Sequence, residues 1–404
     1  MYVERILEKK LDKYLKTKEI IAVVGARQCG KTTLLHHFMS KLNNKEILSF
    51  EDQELLQLFS NDIKSFIEIY VKGRDYLFID EFQYAKNGGK QLKYIYDNFK
   101  IKIFISGSSA QDLAVQGLKY LVGRVLVFNL YPLNFEEYLS FKDKQLTKLL
   151  LEKKVSPEIL KKINKYYLEF SKFGGYPRVA LSETLDEKKE ILKNIYNTYL
   201  LREIKEILQL SDNSKLISLM KVLALHSGNR LNYEEISSSV GLSRNELLKY
   251  LAILKQTFIL FEVKPFFTNK KKELIKSSEY FFLDNGFRNL ILNNFQELDS
   301  RMDKGLINES FVASELIKKD LELKFWRTKS KAEVDFILEK EGEIIPIEVK
   351  SKISSENISR SFRSFIEMYK PKKGFLLNYD FVGEKMISGT SIIFRGLVET
   401  TKII

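Results

Sequence analysis

Three observations predict an α/β fold built on a parallel sheet. Short apolar runs alternate with helical patterns over the first third of the chain, as expected of parallel strands joined by helical crossovers. The first run, Ile21 to Val24, leads directly into Gly25, four residues, and then Gly30-Lys31-Thr32. The third run, Tyr76 to Ile79, ends in the paired carboxylates Asp80 and Glu81.

Taken in order, residues 2 to 16 place Val3, Ile6, Leu7, Leu11, Tyr14 and Leu15 at helical spacing, so a helix precedes the first strand. The glycines after Val24 let the backbone turn tightly and bring N–H groups close to phosphate oxygens. A helix beginning near Lys31 adds its positive end. The pattern GxxxxGK[ST] between a strand and a helix binds a nucleoside triphosphate. Gly25, Ala26, Arg27, Gln28, Cys29, Gly30, Lys31, Thr32 and Thr33 are the expected binding residues. Lys31 would reach the β- and γ-phosphates of ATP, and the Thr32 hydroxyl would bind Mg²⁺.

A second strand is expected at 46 to 50, helix at 53 to 72, and the third strand at 76 to 79. Asp80 at its end would hold Mg²⁺, and Glu81 would orient the attacking water. Helix is expected around 91 to 99, and a fourth strand over 101 to 109 has a polar end at Ser106, Ser108 and Ser109. A polar group there can touch the γ-phosphate or the water. Arg124 precedes a fifth strand and Pro132 follows it.

Composition sets the class. The chain has 404 residues, room for two or three domains, and its 44% hydrophobic and 29% charged content is that of a globular protein. Its formal net charge of +13 favours a polyanionic partner, nucleic acid first and an anionic membrane second. With one cysteine and three histidines, a disulfide framework and a Cys- or His-rich metal site are excluded, whereas carboxylate sites for Mg²⁺ remain open. The charged start MYVERILEKK is not a signal peptide, and no apolar run reaches the length of a membrane span. The expectation is a cytoplasmic protein with no membrane contact.

Residues 135 to 210 read as Lys-rich helices broken by the turn Gly174-Gly175-Tyr176-Pro177. Residues 214 to 268 form helix, short helix ending at Gly241, and a third helix from Arg244 to Gln256 with Ser243 and Glu246 as a capping box. This is a helix-turn-helix pattern, and the segments from Phe258 and after Thr268 would form a wing with Lys270, Lys271 and Lys272 at its tip. Arg244, Asn245 and Lys249 would face bases, and the lysines would face phosphates. Residues 278 to 292 read as strand and helix; Asp284 has no evident chemical role.

The last segment reads helix, three strands, helix, and two strands. Alternation puts Glu348 and Lys350 on one strand face, opposite Ile345, Ile347 and Val349. A hairpin with the strand bearing Asp335 brings Asp335, Glu348 and Lys350 together. Two carboxylates for Mg²⁺ and a lysine to orient water and stabilise charge are what phosphodiester hydrolysis needs.

GARQCGKTTLL, FIDEFQY, ISGSS, the Gly123-Arg124 pair and YPLNFEEYL resemble the AAA+ ATPases. More closely, they resemble archaeal and bacterial members with a winged helix and a C-terminal nuclease-like domain of unknown function. That resemblance implies Ser108 or Ser109 as a sensor of the γ-phosphate. It implies Arg124 as a finger reaching a neighbour's site, hence a homo-oligomer, and Arg178 or Arg202 as a second sensor. Asp335, twelve residues, then Ile347-Glu348-Val349-Lys350 resembles the PD-(D/E)xK nucleases, with Glu309 matching their first-helix carboxylate. The departure is that no proline precedes Asp335. The expected domains are a P-loop core at 1–134, a helical lid at 135–210, a winged helix at 211–276 and a restriction-endonuclease-like α/β domain at 277–404. The expected function is ATP hydrolysis coupled to DNA, with a Mg²⁺-dependent nuclease gated by nucleotide. The alternative is an ATP-driven switch or scaffold whose nuclease-like domain is inactive.

Overall fold

The structure, a computed structural model, describes residues 2–107, 120–152, 155–267, 277–353 and 355–403. The sensor candidates Ser108 and Ser109 and the wing-tip lysines 270 to 272 lie outside the described residues. The chain divides into two compact units, Met1–Leu133 with Gln256–Phe258, and Asn134–Lys255 with Ile259–Ile404. No helix among the described residues is long and apolar enough to cross a membrane.

The first unit is the expected parallel sheet. Its strands are β1 (Ile20–Gly25), β2 (Lys45–Ser49), β3 (Tyr76–Asp80), β4 (Lys102–Gly107) and β5 (Val125–Leu130), in the order β2-β3-β4-β1-β5. All pairings are parallel. Every residue of β1 is buried because helices cover both faces, which explains its unbroken apolar run. Ile20, Ala22 and Val24 enter one core, and Ile21 and Val23 the other. The helix expected over 53 to 72 is two, Gln53–Asn61 and Ile63–Tyr70. Asp62 breaks it, because its carboxylate accepts from the Ser65 amide as the cap of the second helix.

The second unit starts with helices between Phe135 and Leu208, the longest being Pro157–Phe173. Three more follow, Ser214–Leu225, Tyr233–Val240 and Arg244–Gln256, and the last is capped reciprocally by Ser243 and Glu246. Strands β6 (Leu260–Pro265) and β7 (Glu279–Phe282) pair antiparallel, as a wing would. The backbones of Arg230 and Glu279 form an isolated antiparallel β-bridge. The sheet then continues through β8 (Leu323–Arg327), β9 (Glu333–Lys340), β10 (Glu343–Val349), β11 (Lys373–Asn378), β12 (Gly383–Ile387) and β13 (Thr390–Gly396). Its order is β12-β13-β11-β10-β9-β8-β6-β7. The expected boundary at residues 276 and 277 therefore falls inside a hairpin. The hairpin is not a free wing, because β6 also pairs with β8 at Lys264 and Pro265. Strand β12 was not expected; its polar, exposed residues carry little apolar periodicity.

Asp284 acquires a structural role. Its buried carboxylate accepts from the Gly175 amide at 2.7 Å and from the Phe287 amide at 3.3 Å, clasping the Gly-Gly-Tyr-Pro turn to the helix Asn285–Ile291. Gly174 has φ +78, and a Cβ there would lie 1.9 Å from Asp284 Oδ1. Glycine is required at this turn for backbone and for space.

Candidate functional site

The carboxyl ends of β1, β3 and β4 meet at one end of the first sheet, with β4 in the middle. Gly30 adopts a left-handed conformation, φ +96, as the cap of the helix Lys31–Ser40. The Lys31 ammonium is buried and donates to the Gly25 and Ala26 carbonyls at 3.0 and 2.9 Å. The Thr32 hydroxyl donates to Asp80 Oδ2 at 2.7 Å, and the Ser106 hydroxyl donates to Asp80 Oδ1. Asp80 is thus held from the helix on one side and from β4 on the other. Ser106, one of three serines at that strand end, is the one that touches Asp80 among the described residues. Glu81 sits in the left-handed region, φ 52, and its carboxylate accepts from Gln83. A non-glycine residue held there is uncommon and costs backbone energy.

This arrangement gives a backbone loop, a cation and a hydroxyl–carboxylate pair within one strand end. It fits a nucleoside triphosphate with Mg²⁺: hard oxygen donors from Thr32 and Asp80, and Lys31 for phosphate charge. Gly25 packs so closely that a Cβ would fall 2.0 Å from the Leu130 carbonyl. Arg5, which no sequence signal marked, donates to the Cys29 and Tyr131 carbonyls at 2.8 and 2.6 Å.

Arg124 is placed elsewhere. It precedes Val125, which pairs with Ile20 at the amino end of β1, so about 17 Å of strand separates it from its own phosphate loop. There it bonds Asp97 at 3.0 and 3.5 Å. Arg178 is exposed, and Arg202 pairs with Glu206 along its own helix at 2.9 Å. On the helix Arg244–Gln256, Leu247, Tyr250, Leu251 and Leu254 are buried, while Arg244, Asn245, Leu248 and Lys249 form an exposed face.

In the second sheet, β9 and β10 form the hairpin that was expected to gather the carboxylates. The ladder reaches Ile347 opposite Phe336. One step further, the Asp335 carboxylate accepts from the Val349 amide at 2.7 Å, so the side chain takes over the next rung. Glu348 is buried, pairs with the Lys350 ammonium at 3.0 Å, and accepts from Ser359, the cap of the helix Arg360–Tyr369, at 3.1 Å. Burial pulls Lys350 down, but Glu348 and Asp335 outweigh it and hold the ammonium above its ordinary value. Lys350 is therefore a fixed cation.

Glu309, on the helix Lys304–Ile317, faces Asp335 across a cavity of about 280 Å³ that also takes in Glu279, Glu333, Arg327 and Trp326. Burial first, then the Asp335 charge, pushes the Glu309 carboxyl up. Burial also raises Asp335, against the pull of the Val349 amide and Lys350. Glu279 is raised well above the carboxylate range by burial and by Glu309 and Asp335. Sequence reasoning missed Glu279 because it lies on β7, outside the hairpin. It also missed Asn308, whose amide donates to the Ser351 hydroxyl at 2.9 Å and so ties the Glu309 helix to the turn after Lys350. Glu315, on the same helix, is structural: it accepts from the Phe135 amide at 2.9 Å.

Asp335 and Glu348 offer hard oxygens suited to Mg²⁺. Among the described residues, no three carboxylate, imidazole or thiolate side chains are grouped so as to hold a metal ion. A cation here would rest on two carboxylates and complete its shell from backbone, water or phosphate oxygens.

Residues 17–139 match the family model described as an AAA domain. Residues 164–298 and 304–385 match two domains of unknown function, DUF8612 and DUF4143. An uncharacterized protein of Methanocaldococcus jannaschii is 26% identical over 381 residues, covering 91% of this chain and 83% of its own length. An uncharacterized protein of Haemophilus influenzae is 26% identical over 415 residues, covering 97% and 96%. The Walker-type ATPase of Pyrococcus abyssi aligns with a TM-score of 0.49 at 15% identity, over 72% of this chain and 96% of that one.

Proposed function

We propose that this chain, an AAA-type P-loop ATPase through its residues 17–139, hydrolyses ATP and couples the cycle to DNA. The observation that carries the reading is the linked set of Lys31, Thr32, Asp80 and Ser106 at the ends of three adjacent strands. Mg²⁺, when bound, would neutralise phosphate charge beside Thr32 and Asp80. Lys31 would hold the terminal phosphates, Glu81 would orient water, and Ser106 would keep the Asp80 carboxylate aimed.

The DNA part rests on the exposed face of Arg244, Asn245 and Lys249 and on the net charge of +13. ATP turnover measured with and without duplex DNA tests it. We expect stimulation of about fivefold or more, and its loss on changing Arg244 and Lys249 to glutamate, with basal turnover retained. Turnover indifferent to every DNA form moves the protein to the switch or scaffold reading. That second reading draws on the C-terminal cavity, whose acids Glu279, Glu309 and Asp335 are buried and pushed toward the protonated form.

In the nuclease reading, Asp335 and Glu348 would carry Mg²⁺, which supplies charge to the scissile phosphate. Lys350 would position the water, and Glu309 would hold a proton facing Asp335.

Arg124 acts in trans in this reading, since its own loop is out of reach. Asp97 would hold it until a neighbouring copy presents a nucleotide. Arg124→Ala should lower turnover tenfold or more, a modest part of the roughly 10³-fold or greater effect of such arginines. Mixing that variant with Lys31→Ala should restore activity, because each copy supplies what the other lacks. Mixtures as inert as their components would remove the trans role.

A further inference from the structure

Arg5 precedes the first helix, Ile6–Tyr14, and is 7% exposed. Its guanidinium spans two distant pieces of backbone, the Cys29 carbonyl inside the phosphate loop and the Tyr131 carbonyl just past β5. Two further contacts tie the same pieces. The Cys29 thiol donates to the Leu130 carbonyl at 3.2 Å, and Gly25 has no Cβ where that carbonyl approaches. The arginine is itself fixed from the loop's helix side. Glu8 accepts from the Arg5 amide at 3.5 Å and pairs with Lys41 at 2.7 Å, and Tyr2 stacks on His37 with ring centroids 3.9 Å apart.

The peptide plane gives this clamp a consequence. In a trans peptide the C=O and the following N–H point in opposite directions. Holding the Cys29 oxygen toward Arg5 therefore turns the Gly30 N–H away from Arg5. In the ATPase reading, that N–H is one of the loop's phosphate donors. The other arm grips Tyr131, which lies just ahead of Leu133, the last residue of the first compact unit in that stretch.

We propose that Arg5 is a positioning residue for nucleoside triphosphate binding, which aims the Gly30 amide and makes the setting of the phosphate loop depend on the Leu130–Tyr131 segment. The proposal rests on the ATPase reading. It also explains why the chain's one thiol is sealed: Cys29 is 0% exposed, and its burial pushes the thiol up, away from the reactive thiolate. Cys29 is thereby a built-in reporter of the clamp.

The test uses the full chain, steady-state ATP turnover, and the rate at which an aromatic disulfide reagent modifies Cys29. Arg5→Met should raise the KM for ATP by about tenfold or more, as expected when a charge-assisted bond to a buried carbonyl is lost. Its kcat should stay within about threefold of wild type, since no reacting atom is touched. Cys29 should react at least about tenfold faster in the variant, because the loop opens more often. Arg5→Lys, which keeps one donor, should fall between wild type and Arg5→Met on both readouts. Where Arg5→Met does not fold, Glu8→Gln loosens the segment while leaving Arg5 in place, and should shift both readouts in the same direction by less. A KM within twofold of wild type, or a raised KM with an unchanged thiol rate, overturns the proposal. A wild-type protein that binds no ATP removes the ATPase reading instead, and the thiol rates still report whether Arg5 holds the loop.

Discussion

Lys31→Ala is expected to abolish ATP turnover, with a fall of at least about 10²-fold, the scale of losing one preorganised charge at the reacting phosphate. The side chain is buried against the Gly25 and Ala26 carbonyls, so it is already confined to the loop and loses little freedom when phosphate arrives. The alanine variant should still fold. It removes the ammonium's two bonds to those carbonyls and costs about 1–2 kcal/mol, while the apolar faces of β1 remain. Thermal denaturation with a non-hydrolysable ATP analogue separates binding from chemistry. Ligand at 100 times its Kd stabilises a protein by about 2.7 kcal/mol, so wild type should shift by several degrees and the variant should not. Phosphate release from Lys31→Ala at the wild-type rate would sink the assignment of the loop. Lys31→Arg is expected to fail as well, because the planar guanidinium does not replace a compact ammonium at this site.

Asp335→Asn should eliminate Mg²⁺-dependent cleavage of single-stranded, duplex or branched DNA, by about 10³-fold or more where wild type cuts. The same variant should be more stable than wild type at pH 8 in the absence of divalent cations. The sign follows from linkage. Burial raises the Asp335 carboxyl to about 7 in the folded chain, so between the ordinary carboxylate range and pH 7 the folded state binds more protons than the unfolded one. Stability is then greatest below the unfolded value and falls as pH rises through the folded one. Asparagine keeps an acceptor for the Val349 amide and has no charge to bury. A gain on the order of 1–3 kcal/mol at pH 8 is expected, read as an upward shift of the melting temperature, and it should vanish near pH 4. A variant that is inert on DNA but melts identically across this range would leave Asp335 without the buried environment described. Wild type and variant equally inert on every substrate, with ATP turnover intact, would remove the nuclease and leave the switch.

The two predictions lie at sites that were legible to different degrees. Gly25 and Gly30 with Lys31 and Thr32 could be read directly, because a phosphate loop is built from one short stretch whose backbone, glycine spacing and following helix are all local. Asp80 was legible for a related reason: an apolar strand that stops at two carboxylates marks the polar end of a parallel sheet. Glu348 and Lys350 were legible through the period of two along β10, and Asp335 through the hairpin that pairs β9 with it. Their meeting with Glu309 depended on a helix that no periodicity places over the hairpin. Ser106 could be narrowed only to three serines, and its neighbour Asp80 is chosen by strand order.

What the sequence determined by itself was the α/β class, the phosphate loop, the capped helix Arg244–Gln256 with its charged outer face, and the alternation that sorts β10. These follow from hydrogen bonding and burial among residues a few positions apart. Only the tertiary structure decided that Arg5 clamps the loop from 126 positions before Tyr131, and that Asp284 clasps a glycine turn across 109 positions. It alone gave Arg124 to Asp97, drew β6 into a sheet with β8, and added Glu279 to the acidic cavity. Each of these is a choice of partner among many chemically equal candidates. Such a choice is made by the packing of the whole chain, which a local pattern does not encode.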